Sequence, residues 1–325
     1  MMMSGFKVLL TDYAWPNLDI ERRTLDRVGA ELIVATAADA ESLAKLAVDA
    51  DAIMTNWARV TAAVIAAAAK CRIVARLGIG LDNIDVAAAT ERGMRVTNVP
   101  DYCLIEVAEH ALALLFALGR KVAFYHLQTK LGRYDLAAGP ALERLEGQTL
   151  GIVGLGNIGG KLAEKAAALG FKVLATSRTP KPASAGIEFC SLDDLLARSD
   201  YVSLHVPMTP ATRHLIGREQ LARMKPSAYL INTARGGLID NGALAEALAA
   251  GRLAGAGLDV QDPEPPDLSQ TPWNDPRVIV TPHAAFVSRQ SLENLRSRAS
   301  QQVADCLVGK LPENVVNAAA LAAHG

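Results

Sequence analysis

Residues 149–178 read TLGIVGLGNIGGKLAEKAAALGFKVLATSR, and the fold follows from how this stretch changes its period. Thr149 to Val153 is a short apolar run, glycines stand at 154, 156 and 159, an Ala/Leu/charged stretch follows, and a second β-branched run, FKVLAT, closes the unit. Strand, turn, helix and strand in that order make one parallel crossover. The three glycines have separate physical tasks in such a unit: the tight turn, the approach of backbone to a pyrophosphate, and close packing of helix on strand. The amino terminus of the helix adds unpaired N–H groups and the positive end of a dipole, so the loop suits a dinucleotide. Gly154, Gly156 and Gly159, with Asn157 and Ile158 between them, are the expected cofactor contacts.

The same alternation extends in both directions. In the first hundred residues FKVLL, ELIVA, DAIMT, RIVAR and MRVTN are short strands, separated by helical stretches of the type DIERRTLDRVG, AESLAKLAVD and TAAVIAAAAK;. The Ala-rich run Ala62 to Ala69 reads as a close-packed helix;. An apolar stretch from Leu104 to Leu131 predicts one long helix, followed by a Gly/Pro-containing connection, Tyr134 to Gly147. Beyond FKVLAT the pattern continues through DYVSLHV, AYLINTA, GAGLDV and RVIVTPH, and a final amphipathic helix spans Ser288 to about Leu307;. The expected architecture is therefore α/β, with two doubly wound parallel-sheet domains. A dinucleotide-binding (Rossmann) domain, residues 101–287, is inserted into a flavodoxin-like substrate domain made of residues 1–100 and 288–325;.

Size and charge agree with two domains and small-molecule chemistry. The chain has 325 residues, more than the roughly 250–300 that one hydrophobic core accommodates;. Lys and Arg number 33 against 34 Asp and Glu, and with no long basic run there is no electrostatic footprint for nucleic acid or an anionic membrane;. Cys71, Cys103, Cys190 and Cys306 form no CxxC pair, so neither a disulfide framework nor a metal site is expected;. They read as reduced thiols of a cytoplasmic protein, and the opening MMMSGFKVLLTDYAW offers too short an apolar run for a signal peptide;. The longest uncharged run on the apolar helix, Ala111 to Gly119, is about half a bilayer span;.

A dinucleotide fold usually carries an acidic residue about 20 positions beyond the glycines, at the end of the next strand, to hold the ribose 2′-hydroxyl. Here that place is taken by Ser177 and Arg178. A guanidinium pairs with phosphate through a charge-assisted fork, so the expected cofactor is NADP in preference to NAD.

Five ordered segments, GLGNIG, HVPMTPATRHLI, INTARGGLID, GLDVQDPEPP and TPHAA, together with RLGIGLDNID in the first domain, resemble the D-isomer-specific 2-hydroxyacid dehydrogenases over nearly the whole chain. The resemblance implies a catalytic trio of Arg235, Glu264 and His283. Reduction of a 2-keto acid needs hydride at the carbonyl carbon, a proton for its oxygen and a countercharge for its carboxylate. An arginine fork suits the carboxylate and carbonyl, a histidine titrates near neutrality, and a carboxylate beside it favours the charged ring and selects the nitrogen that faces substrate. By the same resemblance His205, Val206, Pro207, Thr233 and Ala234 lie along the dinucleotide. Asp259 accepts from its carboxamide, and the loop Gly78, Ile79 and Gly80 cradles the substrate carboxylate;. His110, His126, His214 and His324 read as structural or solvent-facing.

Substrate selection is expected at Thr55, Asn56 and Trp57, where phosphoglycerate-type relatives often have a basic or hydroxyl residue. Those three residues offer a distal phosphate no cation, and Trp57 favours a small or apolar group. Ile79 stands where phosphite-oxidising relatives carry lysine, and Glu264 where formate dehydrogenases carry glutamine. The expected activity is an NADPH-dependent glyoxylate/hydroxypyruvate-like reductase, working as a homodimer. The alternative is a dinucleotide-binding scaffold of the C-terminal-binding corepressor type, which RLGIGLDNIDVAAATERGMRVTNVPDYC also resembles.

Overall fold

Alternating β-branched runs and helical stretches fold into two parallel sheets, each covered on both faces. The structure, a computed structural model, describes residues 5–137, 139–178 and 186–324. The chain divides into one unit of Met1–Tyr102 with Ser288–Gly325 and another of Cys103–Val287.

In the first unit β1 (Phe6–Leu10), β2 (Ala30–Val34), β3 (Ala52–Thr55), β4 (Ile73–Arg76) and β5 (Arg95–Thr97) lie in the order β2-β1-β3-β4-β5. That is the flavodoxin-like order, whose winding reverses between β1 and β3. Leu9, Ile53 and Val74 face Leu43, Val64 and Ile65 in one buried layer. On the other side the helix Arg289–Leu307 packs against the helix Asp19–Asp26 and against β3 and β4. Ser288 caps that last helix by accepting from the Ser291 N–H, and Arg296 forms a bidentate pair with the fully buried Glu21, both bonds 2.7 Å. The chain thus returns to its first unit after the second is complete.

In the second unit the strands are β6 (Thr149–Val153), β7 (Lys172–Thr176), β8 (Ile187–Phe189), β9 (Tyr201–Leu204), β10 (Tyr229–Asn232), β11 (Gly255–Leu258) and β12 (Val278–Val280). Their order is β12-β11-β10-β9-β6-β7-β8, all parallel, with the reversal between β6 and β9. Leu112, Leu115 and Leu118 pack with Leu162 and Phe171 over one face, while Leu195, Leu221, Leu244 and Leu248 cover the other.

Three local expectations are corrected. The predicted single helix from Leu104 to Leu131 is two helices, Leu104–Gly119 and Val122–Lys130, because Lys121 adopts the left-handed region at φ 57° and stops the first;. Gly119 stands at the close approach: a Cβ there would lie 2.4 Å from the Tyr201 hydroxyl. The first helix buries Leu112, Leu114, Leu115 and Leu118, whereas the second buries none of its residues. The Ala-rich helix ends at Ala67, since Ala68 leaves helical geometry at ψ 62°. Strand β8, short and at the sheet edge with Glu188 outward, was not anticipated from its composition.

Candidate active site

The glycine loop tests directly whether a dinucleotide fits. Gly154 has φ +99°, and a Cβ on it would strike the His205 carbonyl oxygen at 2.6 Å, so β6 and β9 meet there at the reversal of the sheet. A Cβ on Gly159 would lie 2.2 Å from the Gly154 oxygen, which makes it the packing glycine. Around Gly156, the N-cap of helix Asn157–Ala168, a Cβ would meet nothing within 4 Å. Turn and packing positions are therefore filled by protein, while the position meant for backbone approach faces open space. Such a helix terminus binds phosphate through its N–H groups.

Other candidate cofactor contacts lie around the same strand ends. The Thr233 hydroxyl is buried and has no hydrogen-bond partner among the described residues, a donor a ligand would satisfy;. Val206 and Pro207 follow β9 directly. Desolvation pushes the His205 ring from the usual histidine value down to about 4, so the ring is neutral and shares a 2.8 Å hydrogen bond with the Ser203 hydroxyl;. Ser177 is half-buried just beyond β7, and Arg178 is exposed beside it.

Arg235, Glu264 and His283, the trio expected to react, follow three adjacent strands, β10, β11 and β12. Asn232 ends β10 and folds the turn after it, accepting from the Ala234 N–H at 3.0 Å and donating to the Arg235 carbonyl at 2.8 Å. The Arg235 guanidinium donates to the Ala234 carbonyl at 2.7 Å. Gly236 presses on the next loop, where a Cβ would come within 2.1 Å of the Gln261 oxygen. After β11 the Gln261 N–H donates to Glu264 Oε1 at 2.8 Å, which aims Oε2 at His283 Nδ1, 2.9 Å away. Nδ1–H is therefore engaged with carboxylate;. Phe286 lies edge-on to the imidazole, with ring centroids 6.0 Å apart.

His283 itself has φ 51°, a left-handed conformation few non-glycine residues hold;. Asp259, 0 % exposed at the end of β11, fixes it. Its carbonyl accepts the His283 N–H at 2.8 Å, and its carboxylate accepts the N–H groups of Ala284 and Ala285, each at 2.9 Å, and the Thr281 hydroxyl at 2.6 Å. The sequence singles out Asp259 only through a resemblance, and nothing in its local pattern marks Thr281 as its partner.

In the first unit a second carboxylate does similar work. Asp12, just past β1, accepts the N–H groups of Asn56, Trp57 and Ala58 at 3.0, 2.7 and 3.1 Å, holding the loop after β3. Trp57 is 42 % exposed, so it is no core residue, whereas Asn56 is buried. Asp12 carries no motif that would reveal this from sequence. Arg59, exposed two residues beyond Trp57, was also not singled out. After β4 the loop Gly78, Ile79 and Gly80 is pinned by its carbonyls: Gly78 accepts the Val99 N–H at 3.0 Å and Ile79 the Asn98 side-chain amide at 2.8 Å. Of the histidines set aside as structural, His110 bonds Thr281, and the His324 side chain lies outside the described residues.

Comparison with known proteins agrees with this architecture. The pattern described as "D-isomer specific 2-hydroxyacid dehydrogenase, NAD binding domain" matches residues 112–285, and the chain belongs to that family. A glyoxylate reductase from Korarchaeum cryptofilum is 42% identical over 270 residues, 79% of this chain and 80% of that protein. A D-3-phosphoglycerate dehydrogenase from Methanocaldococcus jannaschii is 40% identical over 316 residues, 96% of this chain but 59% of that protein. The chain thus spans little more than half the length of the phosphoglycerate dehydrogenases it matches. Among solved structures, an NADPH-dependent glyoxylate/hydroxypyruvate reductase from Sinorhizobium meliloti, in complex with NADP and malonate, aligns with a TM-score of 0.87 at 28% identity. That alignment covers 96% of this chain and 97% of the other.

Proposed function

We propose that this protein reduces a 2-keto acid to its D-2-hydroxy acid with a nicotinamide cofactor, as an NADPH-dependent reductase of the glyoxylate/hydroxypyruvate type. The Glu264–His283 pair carries the proposal: a carboxylate at 2.9 Å from Nδ1 equips the ring to deliver a proton from Nε2;. Residues 101–287 serve as the dinucleotide-binding domain and residues 1–100 with 288–325 as the substrate domain.

When bound, the reduced nicotinamide supplies the hydride. Arg235 holds the substrate carboxylate and polarises the carbonyl, His283 donates the proton to the oxygen, and Glu264 stabilises the charged ring before that transfer. In the first unit, the backbone at Gly78, Ile79 and Gly80 is the further proposed contact for a substrate carboxylate. Gly154, Gly156, Asn157, Ile158 and Gly159 take the pyrophosphate, while His205, Val206, Pro207, Thr233 and Ala234 line the remainder; Asp259, expected at the carboxamide, is instead fully buried and spends its oxygens on Thr281, Ala284 and Ala285.

Ser177 and Arg178 support preference for the 2′-phosphorylated cofactor. A charge-assisted contact of about 1.5–3 kcal/mol corresponds to roughly ten- to hundredfold in kcat/KM. For substrate, Thr55, Asn56 and Trp57 carry no charge of their own, and the Asp12 carboxylate accepts the N–H groups of their loop. That favours an uncharged substituent. Arg59 and the phosphoglycerate dehydrogenase relatives favour a second reading, a phosphorylated 2-keto acid.

A second copy of the chain is the proposed partner. The helix Val122–Lys130 buries none of its residues, and Val122, Leu127 and Leu131 are all more than half exposed, apolar surface that a homodimer would cover;. No helix among the described residues is long and apolar enough to cross a membrane, and none of the four cysteines is in a disulfide among the described residues.

The decisive assay offers glyoxylate, hydroxypyruvate, pyruvate, phenylpyruvate, 2-ketogluconate and phosphohydroxypyruvate with each reduced cofactor. Glyoxylate or hydroxypyruvate with NADPH is expected to give the highest kcat/KM. Ser177→Asp should invert the cofactor order and Arg178→Ala erase most of it. No oxidation of either cofactor with any keto acid overturns the reductase; preference for NADH overturns only the roles of Ser177 and Arg178. A highest kcat/KM with phosphohydroxypyruvate, lost in Arg59→Ala, selects the second reading.

A further inference from the structure

We infer that His110 is a positioning residue for His283, acting through the Thr281 hydroxyl and the buried Asp259 carboxylate. The inference rests on the role of His283 as proton donor.

His110 Nε2 lies 3.0 Å from Thr281 Oγ1 and 3.4 Å from Asp259 Oδ1. A hydroxyl has one hydrogen, and the 2.6 Å contact between Thr281 Oγ1 and Asp259 Oδ1 uses it, because an ionised carboxylate has none to give;. Thr281 therefore only accepts from His110, and the imidazole must carry hydrogen on Nε2. One tautomer of His110 is selected by the arrangement.

The consequence reaches His283 through short links. Asp259 is fully buried, and a buried carboxylate is stable only when its oxygens are satisfied;. Two of its donors are the consecutive N–H groups of Ala284 and Ala285, and its own carbonyl holds the His283 N–H. These bonds keep His283 at φ 51° and so aim its ring at Glu264. Asp259 and Thr281 both flank the loop they brace. His110 comes from a separate element, the helix Leu104–Gly119, and anchors the loop to it. Without its Nε2–H, Thr281 and Asp259 lose their outer donor, and the loop gains freedom where proton transfer needs a fixed ring.

The test compares two substitutions of similar bulk. His110→Gln keeps a donor at the end of its side chain, whereas His110→Phe fills the space without one. With keto acid and NADPH, His110→Phe is expected to lower kcat roughly ten- to hundredfold while the KM for keto acid moves less than threefold. His110→Gln should recover kcat to within about threefold. An independent measurement needs no turnover: the Nδ1–H proton resonance of His283, assigned by its change in Glu264→Gln, should persist in His110→Gln and shift or broaden in His110→Phe. If the parent turns over no keto acid, the reductase fails while this resonance still decides the role of His110. Equal kcat and an unmoved resonance in both variants, or equal losses in both, would overturn the positioning role.

Discussion

Each sheet carries at the end of one strand a carboxylate that reaches over its neighbour and holds the next loop by consecutive N–H groups. Asp12, past β1, takes Asn56, Trp57 and Ala58 beyond β3; Asp259, at the end of β11, takes Ala284 and Ala285 beyond β12. The two differ in what they secure. Asp12 is partly exposed and its loop presents Trp57 outward. Asp259 is fully buried, braced by Thr281 and His110, and its loop holds His283 in a left-handed conformation. The same device thus supports an outward-facing loop in one unit and a fixed imidazole in the other.

The largest expected effect separates those tasks. His283→Ala should lose roughly 10²–10⁴-fold in kcat, the usual share of a general acid. Trp57→Ala should instead redistribute KM among keto acids with kcat kept within tenfold. Steady-state kinetics over the keto-acid panel check both, and a Trp57→Ala loss as deep as that of His283→Ala would erase the distinction.

Denaturant unfolding compares the two carboxylates themselves. In Asp259→Asn the amide sets a donor against backbone or hydroxyl donors in a dry site, at a cost of about 2–4 kcal/mol. Asp12→Asn can turn its amide toward solvent and should cost about 1 kcal/mol. The reverse order would show that burial is not what distinguishes them.

Acid should then weaken the second unit first. His205 stays neutral in the folded chain down to about 4, whereas unfolded histidine protonates near 6.5;. The unfolded state therefore binds the extra proton between those values, so stability present above pH 6.5 is lost as pH falls toward 4, by about 2–3 kcal/mol. His205→Gln should flatten that slope. Amide exchange followed by peptide should place the acid loss within Cys103–Val287; loss confined to the first unit would contradict it.

Glu264→Gln is the smallest change. Removing the carboxylate takes from the His283 ring both the carboxylate acceptor at Nδ1 and its countercharge, so kcat should fall with the fold intact;. Undiminished kcat in steady-state kinetics would deny Glu264 its part.

Much of this was legible in the sequence where physics is local. The change of period around Gly154 to Gly159 gave strand, turn and helix, and the close packing at Gly159 was legible because it depends on the Gly154 oxygen a few residues away, whereas Gly154 meets the His205 carbonyl from another strand. The helix boundary at Lys121 was not legible, since apolar composition continues past it and only burial separates the buried Leu118 from the exposed Leu127. Strand β8 was missed because three residues at a sheet edge carry too little pattern.

The sequence by itself determined the alternation of strands and helices and the glycine loop, because spacing and composition are properties of neighbours in the chain, whereas Arg235, Glu264 and His283 were singled out by resemblance. The tertiary structure decided which groups meet. Glu264 reaches His283 across 19 residues, Asp12 reaches Trp57 across 45 and His110 reaches Thr281 across 171. Those encounters follow from strand order and helix packing, in which residues remote along the chain become adjacent at the strand ends of one sheet or on a helix packed over it.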